Sequence, residues 1–262
     1  MDLHLLRVSA SGLIAQQHRV DVIGNNLANL QTPGFRAVFP HLADLPYGTG
    51  FFAVAAGDTS IVTAVDGIGE GVALAATLRS TAPGSPVRTG RALDVALPED
   101  TFLAVTLPTG QTAYTRAGNV DVDANRFLHI GGYRVGGPLQ LPEGATEAWI
   151  DAEGQVWSSD AQGAPTLVGR LPLTRFTNSQ GLLAVGDNLF VATAASGPAE
   201  ELALNGLGPD AVRAGFLESS NVSVADEMSR LIRAQRAYQA NARAFRVWDE
   251  LITETYQLGS GR

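Results

Sequence analysis

The chain has 262 residues, room for one large domain or two smaller ones, and its 45% hydrophobic and 17% charged content belongs to a folded chain rather than a disordered one. It has no cysteine, which excludes disulfides and thiolate metal sites. A formal net charge of −8 argues against nucleic acid as the main partner.

Residues 2–30 form the first predicted element. Leu6, Leu13, Val20 and Leu27 recur every seven residues, and Leu3, Ala10, Ile23 and Leu30 widen the stripe. That period predicts an amphipathic helix with a coiled-coil-like seam, interrupted by Gln17 and Gly24. Its polar face carries few basic residues, which weighs against a membrane-surface helix. No apolar run is long enough to span a bilayer. The N-terminus lacks the basic, apolar and small-residue succession of a secretory signal peptide, so if the protein leaves the cytoplasm it is expected to use another route. Pro33 and Gly34 stop the helix by Thr32.

Residues 36–88 hold no sustained period and are rich in Gly and Pro. The apolar runs 50–56 and 72–78 are candidate strands, and the rest reads as extended or looped. So long an irregular stretch inside a compact domain is expected to bind something.

From 89 to about 214 short runs of Val, Leu, Thr, Phe and Trp alternate with turn signals. Runs 101–107 and 111–116 flank Pro108-Thr109-Gly110, and runs 149–151 and 155–157 flank Ala152-Glu153-Gly154, which predicts two hairpins. Further candidate strands are 119–123, 126–130, 167–176 and 182–193. This segment reads as an all-β antiparallel module inserted between helices.

The last element, 223–258, contains no Gly or Pro in its helical run. Leu231, Tyr238, Phe245 and Ile252 again recur every seven residues, with Val224, Met228, Gln235 and Ala242 filling the intervening spacing. Ser223 is the expected N-cap, and Asp226 and Arg230 stand in the favourable i,i+4 order. Because this seam matches the N-terminal one in period and roughly in length, the two helices are expected to pair. The fold class is therefore α+β: a discontinuous coiled-coil domain of paired terminal helices, with an inserted all-β antiparallel domain. The expected division is 1–35 with 216–262 as the helical domain, 36–88 as an extended brace, and 89–215 as the β domain.

Residues that could carry chemistry are sparse. His4, His18, His41 and His129 have no metal-ligand spacing. Gly67-Ile68-Gly69-Glu70-Gly71 lacks the full spacing of a phosphate loop and reads as a loop. Asp94, Glu99 and Asp100 are close in sequence but have no base paired with them. Asn221-Val222-Ser223 fits the glycosylation pattern, a short motif with many chance matches. Arg230, Arg233, Arg236, Arg243 and Arg246 make the last helix basic, either as a solvated face or as partners for acids on neighbouring copies. No catalytic, cofactor or metal residues are assigned, and the chain is expected not to be an enzyme.

Two terminal stretches carry a family resemblance. SGLIAQQHRVDVIGNNLANLQTPGFR (11–36) closely resembles the N-terminal signature of bacterial flagellar rod and hook proteins, through Asn25, Asn26, Leu27, Asn29, Thr32, Pro33, Gly34 and Phe35. AGFLESSNVSVADEMSRLIRAQRAYQANARAF (214–245) resembles their C-terminal signature, through Glu218, Ser220, Asn221, Val222, Gln235, Arg236, Tyr238 and Asn241. TGRALDVAL (89–97), AYTRAGNVDVD (113–123) and GDNLF (186–190) look like the rod-protein version of the middle. Two departures stand out: Leu97-Pro98-Glu99-Asp100-Thr101-Phe102-Leu103 replaces the Gly-rich turn usual in the family, and Gly24 stands where Ala is usual.

The resemblance implies a structural subunit of the basal-body rod, most like the distal rod type, with proximal rod and hook proteins of the same family as alternatives. It implies paired terminal helices as an inner domain, helical self-assembly into a tube, and export unfolded through the flagellar type III apparatus without a cleaved signal peptide. Its implied partners are copies of itself, other rod, hook and basal-body ring proteins, and the export apparatus, with no nucleic acid, no direct membrane insertion and no cofactor. A secreted adhesion protein with a coiled-coil stalk and β head is a more remote reading.

Overall fold

The computed structural model describes residues 4–46, 50–56, 59–65, 69–137, 139–202 and 212–260. The chain is α+β, with one long helix near each terminus and antiparallel strands between them. It divides into two compact units: 1–27, 38–78 and 223–262 form the first, and 28–37 with 79–222 the second.

The first unit contains α1 (His4–Ala28), β1 (Val38–Asp44), β2 (Gly50–Ala56), β3 (Thr59–Val65), β4 (Val72–Arg79) and α2 (Val224–Ser260). α2 has 37 residues and so runs about 55 Å. At its start the backbone N–H of Asp226 donates to Ser223 Oγ at 3.4 Å, the expected cap, and Asp226 and Glu227 place negative charge in the first turn. Arg230, however, pairs with Glu227 at 3.3 Å and not with Asp226. Glu227 faces inward and is buried, whereas Asp226 faces solvent. β2 and β3 form an antiparallel ladder, and β1 pairs with β4. The expected strands at 50–56 and 72–78 are present, but β1 and β3 also lie in the stretch whose pattern read as extended or looped. No described helix is long and apolar enough to cross a membrane.

The second unit begins with β5 (Pro86–Arg88), β6 (Val95–Ala96), β7 (Thr101–Thr106), β8 (Thr112–Thr115), β9 (Val120–Val122), β10 (Leu128–Ile130) and β11 (Tyr133–Val135). It continues with β12 (Glu147–Ile150), β13 (Gln155–Ser159), β14 (Pro165–Arg170), β15 (Leu173–Arg175), β16 (Leu183–Gly186), β17 (Leu189–Val191), β18 (Glu200–Glu201), β19 (Arg213–Ala214) and β20 (Phe216–Glu218). The main sheet runs β16-β17-β8-β7-β11-β10-β9, with β15 also on β7 and β18 on β15. β12, β13 and β14 form a second sheet, and two short ladders join β19 to β6 and β20 to β5.

Both expected hairpins are present, as β7–β8 and β12–β13, the latter with Trp149 opposite Trp157. The apolar run 167–176 is not one strand: it breaks at Pro172 into β14 and β15, which belong to different sheets. Proline has no N–H to give a ladder, and here its carbonyl accepts the N–H of Ala104 at 3.1 Å. The run 182–193 also divides, turning at Asp187 and Asn188, both at positive φ (50° and 55°). The turn within 97–103, which has no glycine, works through Asp100, which takes φ 51°, a conformation Asp tolerates better than most residues. Leu103, Val105, Val120, Leu128, Val156 and Leu173 close the core. A second cluster stacks Phe102, Tyr114, Phe176 and Phe190 edge to face.

Leu103 is fully buried, whereas Leu183 is 58% exposed. Leu103→Ala is expected to destabilise the second unit by about 2–5 kcal/mol and Leu183→Ala by less than about 0.5 kcal/mol. Urea unfolding followed by tryptophan fluorescence checks this; equal losses would contradict the assigned core.

Candidate functional site

The two terminal signatures each divide between the units, so each unit carries one cluster of their residues. In the second unit the N-terminal signature contributes Asn29–Arg36 and the C-terminal one Glu218–Val222. Thr32 donates its hydroxyl to Asn29 Oδ1 at 3.0 Å and its N–H to the Asn29 carbonyl at 3.2 Å, which turns the chain out of α1. The Pro33 carbonyl accepts the amide of Asn188 at 3.1 Å. Gly34 has φ 66°, and a Cβ there would stand 2.6 Å from the carbonyl of Arg116; only glycine fits both the conformation and the approach. Its N–H donates to the Glu218 carbonyl at 2.8 Å.

Asn221 completes this arrangement. Its Oδ1 accepts the N–H of Ala37 at 2.7 Å, and its Nδ2 donates to the Ala82 carbonyl at 2.7 Å and to Ser80 Oγ at 3.0 Å. Ser220 Oγ accepts the N–H of Val222, which is itself buried.

The charged centre is Glu218, 4% exposed. Its Oε2 accepts Nε of Arg116 at 2.9 Å and Nη2 at 2.5 Å, and its Oε1 accepts the N–H of Gly84 at 3.0 Å. The remaining guanidinium nitrogen of Arg116 donates to the carbonyls of Pro98 and Thr101. Arg36 is held less completely. Its Nη1 donates to the Thr81 carbonyl at 2.8 Å and its Nε lies 3.7 Å from Glu218. Burial, followed by the nearby charge of Arg116, lowers the Arg36 pKa against the opposing pull of Glu218 and Asp100. Arg79 lies over Phe190 and Phe35, 4.8 and 5.9 Å from their centroids, and burial lowers its pKa as well. A cavity of about 20 Å³ between these arginines and the aromatic cluster is large enough for one water.

In the first unit Asn26 is fully buried and clasps the backbone of Val38, donating to its carbonyl at 2.8 Å and accepting its N–H at 2.9 Å. Asn25 is exposed and Leu27 half-buried. Among the described residues the buried side chains are Ala15, Ile23 and Asn26 along α1 and Glu227 and Ala234 along α2. A Cβ on Gly12 would stand 2.7 Å from the Asn241 amide nitrogen, which marks a close approach of the two helices. Ser11 Oγ accepts the N–H of Val72, and Arg7 forms an ion pair with Glu70.

Of the seam residues, Leu6, Leu13, Val20, Leu27, Leu231, Phe245 and Ile252 are half-buried, while Tyr238 is exposed. Gln235 and Arg236 are exposed, as are Val224 and Met228. Gly67 and Ile68 of the glycine-rich loop lie outside the described residues. Sequence reasoning missed the joint role of Arg36, Arg79 and Arg116. They lie far apart in the chain, and no spacing rule links them to Glu218. Asp94 and Asp100 turn out to face Arg91 and Arg36, at 3.4 and 3.9 Å.

Three family models match the chain: one described as flagella basal body rod protein over residues 6–36, one as flagellar hook protein FlgE/F/G D1 domain over 96–158, and one as flagellar basal body rod FlgEFG protein C-terminal over 213–258. The chain is 38% identical to the flagellar basal-body rod protein FlgG of Caulobacter vibrioides, over 98% of this chain and 100% of that protein. It is 36% identical to FlgG of Bacillus subtilis over 98% and 99%, and 30% identical to the flagellar basal-body rod protein FlgF of Mesorhizobium japonicum over 92% and 91%.

Removing the carboxylate of Glu218 leaves two buried guanidiniums without their shared counter-charge. Glu218→Ala is expected to destabilise the second unit by about 3–5 kcal/mol. Replacing the pair together, as Glu218→Leu with Arg116→Met, should cost less than Glu218→Ala alone. Urea titration of the full-length variants measures both; a Glu218→Ala loss under about 1 kcal/mol would show that this charge pair is not what closes the site.

Proposed function

The chain belongs to the flagellar basal-body rod protein family, and from that premise we propose how this structural subunit of the distal rod type works: copies polymerise helically into the tubular shaft that transmits torque and conducts exported subunits. One observation carries the assembly step. α2 leaves Val224, Met228, Ile232, Tyr238, Val247 and Trp248 exposed in the isolated chain. Each such side chain contributes about 1.5–3 kcal/mol when fully removed from water, and a polymer supplies the surface that removes it. The work is mechanical: stiffness follows from many such contacts per subunit.

In this reading α1 and α2 pair in coiled-coil fashion as the inner, polymerising domain, through Leu6, Leu13, Val20, Leu27, Leu231, Phe245 and Ile252. The closeness of Gly12 to Asn241 supports their pairing. Residues 36–88 act as a brace between copies, and 89–215 form the outer β layer. The subunit lies in the basal body, and we assign it export through the type III apparatus without a cleaved signal peptide. Other rod, hook and ring proteins are its neighbours.

Met228→Asp combined with Ile232→Asp tests the assembly step, because both side chains are exposed in the monomer. The variant should unfold within about 0.5 kcal/mol of the parent yet fail to form tubes at high concentration in electron micrographs. Tubes like those of the parent would remove the basis for this reading.

A further inference from the structure

We propose that the cleft between α1, β1 and the first turns of α2 receives residues 247–254 of α2 from a second copy of this chain. The proposal rests on the rod reading and names its contact.

The cleft lies wholly within the first unit and has a volume of about 480 Å³. That is within the range of about 300–1,000 Å³ typical of clefts that take up a small ligand. Ile23, Val38, Phe39 and Ala234 make its walls apolar. Its charge is mostly one-signed, with Arg19, Arg230 and Arg233 against Glu227. Arg230 is already engaged, lying 4.4 Å over the Phe39 ring and 3.3 Å from Glu227. Arg19 and Arg233 are exposed, and their recorded hydrogen bonds go to Gln16 and to the Ser229 carbonyl, both uncharged. The buried Oε2 of Glu227 has no hydrogen-bond donor among the described residues. The cleft therefore calls for an occupant that is apolar, acidic at its edges and equipped with an N–H donor.

α2 carries such a segment at its other end. Val247 is 53% exposed and Trp248 37%, followed by Asp249, Glu250 and Glu254, all exposed. From 247 to 260 the helix has no basic residue, while its first part carries Arg230, Arg233, Arg236, Arg243 and Arg246. An indole combines a large apolar surface with an N–H, the donor that a slight turn of Glu227 would meet.

The segment cannot reach the cleft of its own chain. Thirteen residues separate Ala234 from Val247 on one unbroken helix, which holds them about 20 Å apart. The occupant is therefore another molecule, and the contact is head to tail. Two different surfaces meet, so the contact leaves a free cleft at one end and a free segment at the other. Repeated, it generates an open helical polymer rather than a closed dimer.

The absence of native cysteine makes crosslinking specific. Full-length chain carrying Arg233→Cys with Glu254→Cys, both exposed positions, is polymerised at high concentration and oxidised. A ladder of covalent multimers on a denaturing gel is expected, with neither single variant giving one. Separately, Arg233→Glu or Glu254→Arg alone should raise the critical concentration about tenfold, and the two together should restore it. Tubes without a ladder, a product that stops at the dimer, or a double reversal no better than either single overturns this docking and leaves the rod reading standing. A parent chain that stays monomeric under the same conditions overturns both.

Discussion

The second unit depends on one buried carboxylate. Glu218 sits at the end of β20 and draws together Arg116 from the turn after β8, Gly84 from the segment before β5, and Arg36 from the N-terminal signature. A charge this deeply enclosed is tolerable only when its lone pairs are filled and its counter-charge is close. Arg116 meets that need almost completely, and its own spare donors go to two backbone carbonyls. This arrangement leaves little freedom in the path of residues 33–37. Gly34 must pass within contact of Arg116, and any side chain there would strike its backbone. The ion pair and the glycine are thus one constraint expressed twice.

The first unit obeys a different economy. The faces that α1 and α2 bury are built from Ala15, Ile23, Asn26, Glu227 and Ala234, most of them small or polar. Such faces bury little apolar area. Several of the larger residues of α2, among them Val224, Met228, Ile232, Val247 and Trp248, are exposed. A monomer built this way is well specified but incompletely buried, and its remaining hydrophobic surface is available for association.

Much of this was legible in the sequence because the signals are local. The helical period at both ends, the Thr-Pro-Gly exit from α1, the Ser223 cap and both hairpins all rest on residues within a few positions of one another. Chain order also gave the α+β class. The failures came where a distant group decided the outcome. The heptad of Leu231, Phe245 and Ile252 lies on the half-buried side, but its companion line is Glu227, Ala234 and Asn241 rather than Val224, Met228 and Gln235. A pattern scan favours the large apolar residues and passes over a buried glutamate. Strands β1 and β3 were missed because β1 contains Pro40 and β3 lies between Gly57 and Gly67. The run 167–176 read as a single strand because Pro172 matters only once two sheets compete for it. Nothing local could have joined residues 36, 116 and 218.

Each signature is divided between the units, and the chain is fastened beside the crossings. The chain passes from one unit to the other after residues 27, 37, 78 and 222. At the second passage an asparagine grips each side: Asn221 holds the N–H of Ala37 within the second unit, and Asn26 clasps both backbone groups of Val38 within the first. At the third, Arg79 is held by the Arg36 carbonyl and by Phe190. At the fourth, Val222 is buried on one side while Ser223 caps α2 on the other. At these three passages the residues beside the crossing are therefore fixed within their own unit by hydrogen bonds and packed side chains. Asn26 and Asn221 do this with short side chains, which lose less rotamer entropy when fixed than a long one such as Arg79. Asparagine suits the task because its amide supplies a donor and an acceptor in one plane, matching the two backbone groups it must replace.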